Sequence, residues 1–163
     1  MAFVLDASES ACWAFAVEGH PVAAAAFSRI QTAEAVVPAV WWFEMRNILI
    51  VNERRGRIQE RDTEIFLRAL GQSRIRVERC PEGTEVLRIA RSQNLSVYDA
   101  AYLELAYREK MALATLDRRL SEAARVMGGG GFRGGWVAAV EMFPGAAIST
   151  GAMVSATFFV EMR

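Results

Sequence analysis

Carboxylates are the side chains of this sequence whose type and spacing could do chemistry. Only four aspartates occur, and two of them, Asp6 and Asp117, each follow directly on a short apolar run. A third, Asp99, opens a predicted helix, and Glu44 lies inside a predicted helix that is apolar on nearly every side. Clustered carboxylates repel by roughly 4 kcal/mol per pair at about 4 Å with an effective dielectric of about 20. If these acids converge they require a counter-charge, and hard oxygen ligands favour Mg²⁺ or Mn²⁺.

Histidine and cysteine offer little alternative chemistry. The single histidine, His20, directly precedes Pro21 in a predicted turn and has no evident partners. This argues against a triad with a histidine base and against a histidine-rich zinc site. The two cysteines, Cys12 and Cys80, lack metal-ligand spacing, and we expect both to be buried free thiols in a reducing compartment.

Each acid also has a purely structural interpretation. Asp6 and Asp117 could cap the helices that follow them, and Asp99 could complete a capping box begun by Ser96. Glu44 could reach solvent at the edge of its helix. Asp62 serves as a control, because it sits at a polar helix start and we interpret it as structural. Taken one at a time, the acids do not decide between a metal site and helix capping.

The elements that must position these acids alternate between strands and helices, which predicts an α/β fold around a small, mainly parallel sheet. Ligands of such sheets lie beyond the carboxyl ends of the strands, where Asp6 and Asp117 fall. The predicted strands span residues 3–5, 35–38, 74–78 and 111–116, the third of them near a sheet edge. The predicted helices span residues 11–17, 21–31, 40–55, 59–70, 82–93, 96–110 and 118–127.

Composition indicates one compact domain with no overall basic field. The chain has 163 residues, 53% of them hydrophobic, and its formal net charge is zero. Any contact with nucleic acid must therefore be local. Lys110 is the only lysine among 19 cationic residues, so arginine supplies nearly all positive charge. The start of the chain does not have the pattern of a signal peptide, and we expect a cytoplasmic protein.

Five segments, in this order and spacing, form a specific combination. They are VLDAS (4–8), PAVWWFEMRN (38–47), RRGRI (54–58), LSVYDAAYLELA (95–106) and LATLD (113–117). Together they resemble the PIN-domain ribonucleases of the VapC toxin type, over roughly residues 1–127.

The resemblance implies a fold, an activity and partners. The expected fold is a three-layer α/β/α arrangement with a small parallel sheet. The expected activity is that of a Mg²⁺- or Mn²⁺-dependent endoribonuclease, which acts as the toxin of a toxin–antitoxin pair and is silenced by a cognate antitoxin. A homodimer is also expected, and no membrane attachment. The implied metal-binding and catalytic acids are Asp6, Glu44, Asp99 and Asp117, with Ser8, Asn47 and Thr115 in support.

The C-terminal part departs from the family pattern. Family members usually close with a short apolar strand, whereas this chain enters a glycine cluster at 128–131. We expect a nuclease domain over residues 1–127 and a Gly-rich extension over 128–163. Residues 142–160 carry no charge, which raises a membrane-span alternative, although polar residues, Gly and Pro dilute it. A β-prone end at 157–160 or an altered C-terminus is the preferred interpretation.

Several functions stay open at this point. The same acids could serve a DNA-cutting nuclease or a phosphatase, because no feature of the sequence recognises a ribose 2′-hydroxyl. A non-catalytic α/β binding protein would use the acids only as caps. A nucleotide-binding module is disfavoured, because the glycines do not follow a strand and open a helix. Trp41, Trp42 and Phe43 cannot all face one core, so one of them could serve a homodimer or antitoxin interface.

Overall fold

The centre of the fold is a four-stranded parallel sheet. The structure, a computed structural model, describes residues 2–15 and 28–129 of the 163-residue chain. The strands lie in the order β3-β2-β1-β4, and all neighbouring pairs are parallel. They are β1 (Phe3–Leu5), β2 (Ala35–Pro38), β3 (Ile75–Glu78) and β4 (Ala112–Ala114). Val4 aligns with Val36 on one side and with Leu113 on the other. The carboxyl ends of all four strands therefore share one edge of the sheet.

Helices flank the sheet in a three-layer α/β/α arrangement, which confirms the predicted fold class. Those bounded within the described residues are α1 (Ala7–Ala14), α2 (Val40–Arg54), α3 (Glu60–Gln72), α4 (Gly83–Gln93), α5 (Val97–Glu109) and α6 (Arg118–Gly129). Residues 28–32 are also helical and precede β2. As predicted, α2 ends before Gly56, whose φ of 67° lies in the left-handed region that glycine adopts without strain.

The core lies on both sides of the two central strands and around α5. Every residue of β1 and β2 is buried, as expected for strands covered on both faces. The edge strand β3 is only partly covered. Residues 100–106 of α5 are buried without interruption, and this helix packs against β1, β2 and β4 as well as α4 and α6. Its start is thereby fixed beside the carboxyl edge of the sheet.

Most predicted elements are confirmed, including the edge position of β3. The first helix begins at Ala7, four residues before the predicted start, so that boundary was wrong. The polar run Ser8-Glu9-Ser10 hid the helix start, since Glu9 and Ser10 are in fact buried. The predicted helix over residues 21–31 lies mostly outside the described residues.

The expected burial of both cysteines was wrong for Cys80. Both thiols are free, but Cys80 is exposed and Cys12 is only partly buried. Cys80 lies between Arg79 and Pro81, in the connection that leaves the edge strand β3. Such connections run over the surface, which explains the exposure.

Within residues 2–15 and 28–129, none of the helices combines the length and the apolar character needed to cross a bilayer. The uncharged stretch 142–160, the glycine cluster from residue 130 onward and His20 lie outside the described residues.

Candidate metal centre

A cavity of about 250 Å³ opens at the carboxyl edge of the sheet, and all four predicted acids line it. Asp6 follows β1, Glu44 lies in the second turn of α2, Asp99 lies in the first turn of α5, and Asp117 precedes α6. Four acids far apart in sequence thus meet in one place. The lining consists of Asp6, Ala7, Ser8, Glu44, Asn47, Ile48, Asp99 and Asp117.

Asp6 is the most buried of the four acids, with 7% of its surface exposed. Its Oδ2 accepts a hydrogen bond from the hydroxyl of Ser8 and another, of 2.7 Å, from Oγ1 of Thr115. Although it occupies the N-cap position of α1, its side chain makes no cap hydrogen bond. The capping interpretation therefore fails for Asp6, and its carboxylate is oriented by two hydroxyls instead.

The same environment shifts the titration of Asp6. Burial raises the pKa of Asp6 above its ordinary value, and the nearby charge of Asp99 adds to the rise. The hydrogen bonds from Ser8 and Thr115 oppose it. Burial outweighs these bonds, so Asp6 gives up its proton less readily than an ordinary aspartate.

Glu44 is half-buried and is held by a tyrosine from another helix. The hydroxyl of Tyr102, on α5, donates a hydrogen bond to Oε2 of Glu44. Burial raises the pKa of Glu44, and the charges of Asp6 and Asp99 raise it further, while the Tyr102 bond lowers it. Repulsion by the neighbouring acids therefore contributes to the raised pKa of Glu44.

Asp99 and Asp117 both lie at helix starts and line the cavity. Ser96 Oγ donates to Asp99 Oδ2 at 2.7 Å and accepts from the Asp99 amide at 3.0 Å. Asp117 Oδ1 accepts a hydrogen bond of 2.9 Å from the amide of Leu120, in the first turn of α6. The capping interpretation therefore holds for Asp117. For Asp99 it holds only in part, because Ser96 caps α5 but bonds the Asp99 carboxylate through its hydroxyl and not through its amide, as a capping box would. Neither arrangement competes with a metal site, because each engages only one carboxylate oxygen.

The three predicted supporting residues also surround the site. Ser8 Oγ donates to Asp6 and accepts a hydrogen bond of 3.2 Å from the amide of Leu116, which ties the ends of β1 and β4 together. Thr115 Oγ1 donates to Asp6 and accepts from the amide of Asp117 at 3.0 Å. Asn47 lines the cavity one turn after Glu44. The local turn bond considered for these hydroxyls is present at Thr115, together with its bond to Asp6.

Comparison with known proteins agrees with this architecture. Residues 4–126, about three quarters of the chain, match the PIN domain family. The chain belongs to the PIN domain family. The crystal structure of PAE2754 from Pyrobaculum aerophilum has a similar fold, with a TM-score of 0.62 and 24% sequence identity, over 76% of this chain and 84% of that chain. No curated protein matches the sequence. PIN domains are metal-dependent nucleases in general, and this general activity is the one assigned to the chain.

The donor set of this PIN domain fits a hydrated divalent cation. Within residues 2–15 and 28–129, no three acidic, histidine or cysteine side chains stand close enough to ligate one ion directly. Mg²⁺ is usually bound through one or two carboxylates and keeps several of its waters, so it does not need an all-protein cage. The 250 Å³ cavity leaves room for these waters between the acids. Asp6, Glu44, Asp99 and Asp117 are the residues that would hold the ion.

Tyr102 is the site residue that the sequence did not reveal. Its side chain is wholly buried, and burial followed by the bond to Glu44 raises its pKa, so the hydroxyl stays protonated and donates. A signal existed, because Tyr102 lies three residues after Asp99 and therefore near it on the same helix. The control residue Asp62 behaves as interpreted: it accepts a hydrogen bond of 3.1 Å from the amide of Gln59 and does not line the cavity.

Proposed function

We propose that this PIN domain is a Mg²⁺-dependent endoribonuclease, active also with Mn²⁺, and the toxin of a toxin–antitoxin pair. The observation that supports the proposal most strongly is the convergence of Asp6, Glu44, Asp99 and Asp117 on one cavity. The toxin role and the choice of RNA rest on the resemblance of the five sequence segments to VapC-type toxins. A cognate antitoxin and a homodimer are proposed on the same basis.

The residues of the chain would act by holding and orienting. Asp6 is fixed at Oδ2 by Ser8 and Thr115, and Glu44 is fixed by Tyr102, so neither carboxylate needs to reorganise at the moment of reaction. The amide of Asn47 faces the same cavity and can orient a water or a phosphate oxygen. When bound, a divalent ion supplies a water of lowered pKa and offsets charge that develops on the phosphate.

Purified full-length protein, incubated with total RNA, tests the proposal. We expect cleavage with Mg²⁺ and none with EDTA. Asp6→Asn, which keeps the shape of the side chain, should lower cleavage by more than about a hundredfold, because even changes to groups that only support a metal ligand cost 10–100-fold. Asp62→Asn is the matched control and should cut like the wild type.

Parallel reactions with single-stranded DNA and a small phosphoester separate the rival hydrolases. Cleavage of DNA but not RNA would replace the proposed substrate with the alternative one. Wild-type cleavage by a folded Asp6→Asn protein would remove this residue from the mechanism. If the wild type cleaved none of these substrates in Mg²⁺, a non-catalytic α/β binding protein would be the better interpretation.

A further inference from the structure

A buried indole of α2 is hydrogen-bonded to a serine of α1. Of the three adjacent aromatic residues on α2, Trp41 is the one with a buried ring: 4% of its surface is exposed, against 44% for Trp42 and 67% for Phe43. Trp41 Nε1 donates a hydrogen bond of 2.9 Å to Oγ of Ser10. Ser10 is fully buried as well, so water does not compete for this bond. The bond satisfies the indole N–H, which needs a partner when it is buried, and it connects the two helices.

Ser10 in turn holds the main chain of Asp6. Its amide donates to the Asp6 carbonyl at 3.2 Å, and its hydroxyl lies 3.0 Å from the same carbonyl oxygen. A hydroxyl has one hydrogen to donate, and the other acceptors within its reach, the Met45 sulfur at 3.2 Å and the Ala7 carbonyl at 3.3 Å, are more distant. The residue that carries the most buried acid of the cavity is therefore connected through Ser10 to α2.

The other end of this connection lies on the helix that carries Glu44. Trp41 and Glu44 are three residues apart on α2, and side chains at this spacing share a helix face. Met45, the direct neighbour of Glu44, is fully buried and contacts the hydroxyl of Ser10. The hydrogen bond between Trp41 and Ser10 thus joins the chain segments that carry Asp6 and Glu44.

Like charges oppose the arrangement that this bond supports. Asp6 and Glu44 line the same cavity, and ionised carboxylates repel each other until a cation lies between them. The hydroxyls of Thr115 and Tyr102 orient the two carboxylates, but these residues follow β4 and lie on α5. Neither of these two bonds joins α1 to α2, so the spacing of the two segments depends on contacts such as the one between Ser10 and Trp41.

We propose that Ser10 and Trp41 are positioning residues of the metal centre: their hydrogen bond holds α1 against α2 and so sets the distance between the carboxylates of Asp6 and Glu44. This inference rests on the proposed binding of a divalent cation by these acids. It adds two residues that do not line the cavity and act only through the segments that do.

The test measures Mn²⁺ binding to the full-length protein by electron paramagnetic resonance, beside urea unfolding without metal. Trp41→Phe keeps a ring and removes the N–H, and Ser10→Ala removes the hydroxyl. Each should raise the Kd for Mn²⁺ by about tenfold, the lower end of the loss seen for groups that support metal ligands. The double variant leaves neither partner unpaired, so its urea midpoint should lie above that of Ser10→Ala. Its Kd should nevertheless stay raised about tenfold, because the connection is still missing.

Ser121 provides a matched control. It is buried, it lies four residues after Asp117 as Ser10 lies four residues after Asp6, and its amide donates to the Asp117 carbonyl at 2.9 Å. Its hydroxyl, however, has no hydrogen-bond partner among the described residues. Ser121→Ala should therefore leave the Kd for Mn²⁺ unchanged. Trp42→Phe, which removes an exposed indole N–H from α2, should leave it unchanged as well.

A wild-type Kd in Trp41→Phe and in the double variant would overturn the inference, even with a lowered urea midpoint, because the bond would then serve stability alone. An equal rise of the Kd in Ser121→Ala would overturn it too. If Ser10→Ala does not fold, because the Trp41 N–H is left unpaired, the other two variants decide. If the wild type does not bind Mn²⁺ saturably, the proposed metal centre fails and this inference with it. If the wild type binds and the variants bind equally well, this inference alone fails.

Discussion

Among the four acids of the cavity, the buried Asp6 and the half-buried Glu44 differ from Asp99 and Asp117 in how the chain holds them. Hydroxyl groups from distant segments orient the first pair, whereas groups within the adjoining helix start orient the second pair. Burial raises the pKa of both Asp6 and Glu44. A cation binds only the ionised carboxyl. As the pH is lowered, we therefore expect the affinity for the cation to begin to fall at a higher pH than it would with carboxyls of ordinary pKa.

Removal of the Tyr102 hydroxyl tests whether this residue positions Glu44. The hydrogen bond from Tyr102 lowers the pKa of Glu44, so Tyr102→Phe should raise that pKa further. The acid limb of the pH–rate profile should then move to higher pH, and the rate at mildly acidic pH should fall by about tenfold or more. Tyr107→Phe removes a hydroxyl from the same helix outside the cavity and should leave the profile unchanged. An unshifted acid limb in Tyr102→Phe would show that the bond has no role in metal binding.

Glu9 is a buried acid that the mechanism does not use. Its side chain is fully buried, and neither carboxylate oxygen has a hydrogen-bond partner among the described residues. Burial, and then the charge of Asp6, raises the pKa of Glu9 to about 7. Between the ordinary glutamate pKa of 4.5 and about 7 the folded state therefore binds more protons than the unfolded state, and the free energy of unfolding falls as pH rises through this window.

Glu9→Gln should consequently stabilise the protein at pH 8 by about 3 kcal/mol, since each tenfold change in proton affinity is worth about 1.4 kcal/mol. The gain should disappear near pH 4.5, where the carboxyl is protonated in the folded state. Urea denaturation at both pH values measures the difference. Glu104→Gln is the contrasting control: Glu104 pairs with Arg108 at 2.7 Å, so the change should destabilise the fold at pH 8. A pH-independent effect of Glu9→Gln would contradict the account.

At the scale of single residues, the sequence predicted the acids better than their neighbours. Asp6 and Asp117 were predictable because they follow strands whose carboxyl ends must meet at one sheet edge. Tyr102 and Glu9 were not, because a tyrosine inside a buried helix and a glutamate in a polar run usually have ordinary structural roles. Their burial depends on packing between α1, α2 and α5, which local sequence does not specify.

At the scale of elements, the starts of α5 and α6 contain both the groups that cap these helices and two of the acids that line the cavity. The Ser96 side chain caps α5 through the Asp99 amide and also bonds the Asp99 carboxylate. This double use explains why helix capping and metal binding could not be separated from sequence alone. The missed start of α1 has a different origin, because the polar run Ser8-Glu9-Ser10 hid a helix start at which Glu9 and Ser10 are buried.

Ser96→Ala tests the structural half of this arrangement. Loss of the cap should lower the free energy of unfolding by about 1 kcal/mol, as measured in urea. Ser92→Ala is a suitable control, because Ser92 only donates to the carbonyl of Ile89 at 3.3 Å inside α4. Equal stability of the two variants would mean that Ser96 does not cap α5 in solution.

At the scale of the whole molecule, the alternation of strands and helices was enough to predict an α/β fold around a mainly parallel sheet, and the alternating pattern of residues 74–78 predicted the edge strand. The three layers were implied by the family resemblance. The family match ends at residue 126, close to the domain boundary expected at residue 127. That boundary, the extension over 128–163 and the cytoplasmic location stay predictions. The four acids of the cavity would repel a phosphate, so the approach of a phosphate to this cavity would depend on a bound cation.

We propose that the four acids brought together by the fold hold one divalent cation between them, directly or through its bound waters. Titration of the full-length protein with Mn²⁺, with free Mn²⁺ followed by electron paramagnetic resonance, tests this claim without reference to any substrate. We expect saturable binding by the wild type and by Asp62→Asn, and an affinity more than about a hundredfold lower in Asp6→Asn. Equal Mn²⁺ binding by Asp6→Asn and Asp62→Asn, or no saturable binding by the wild type, would contradict the account.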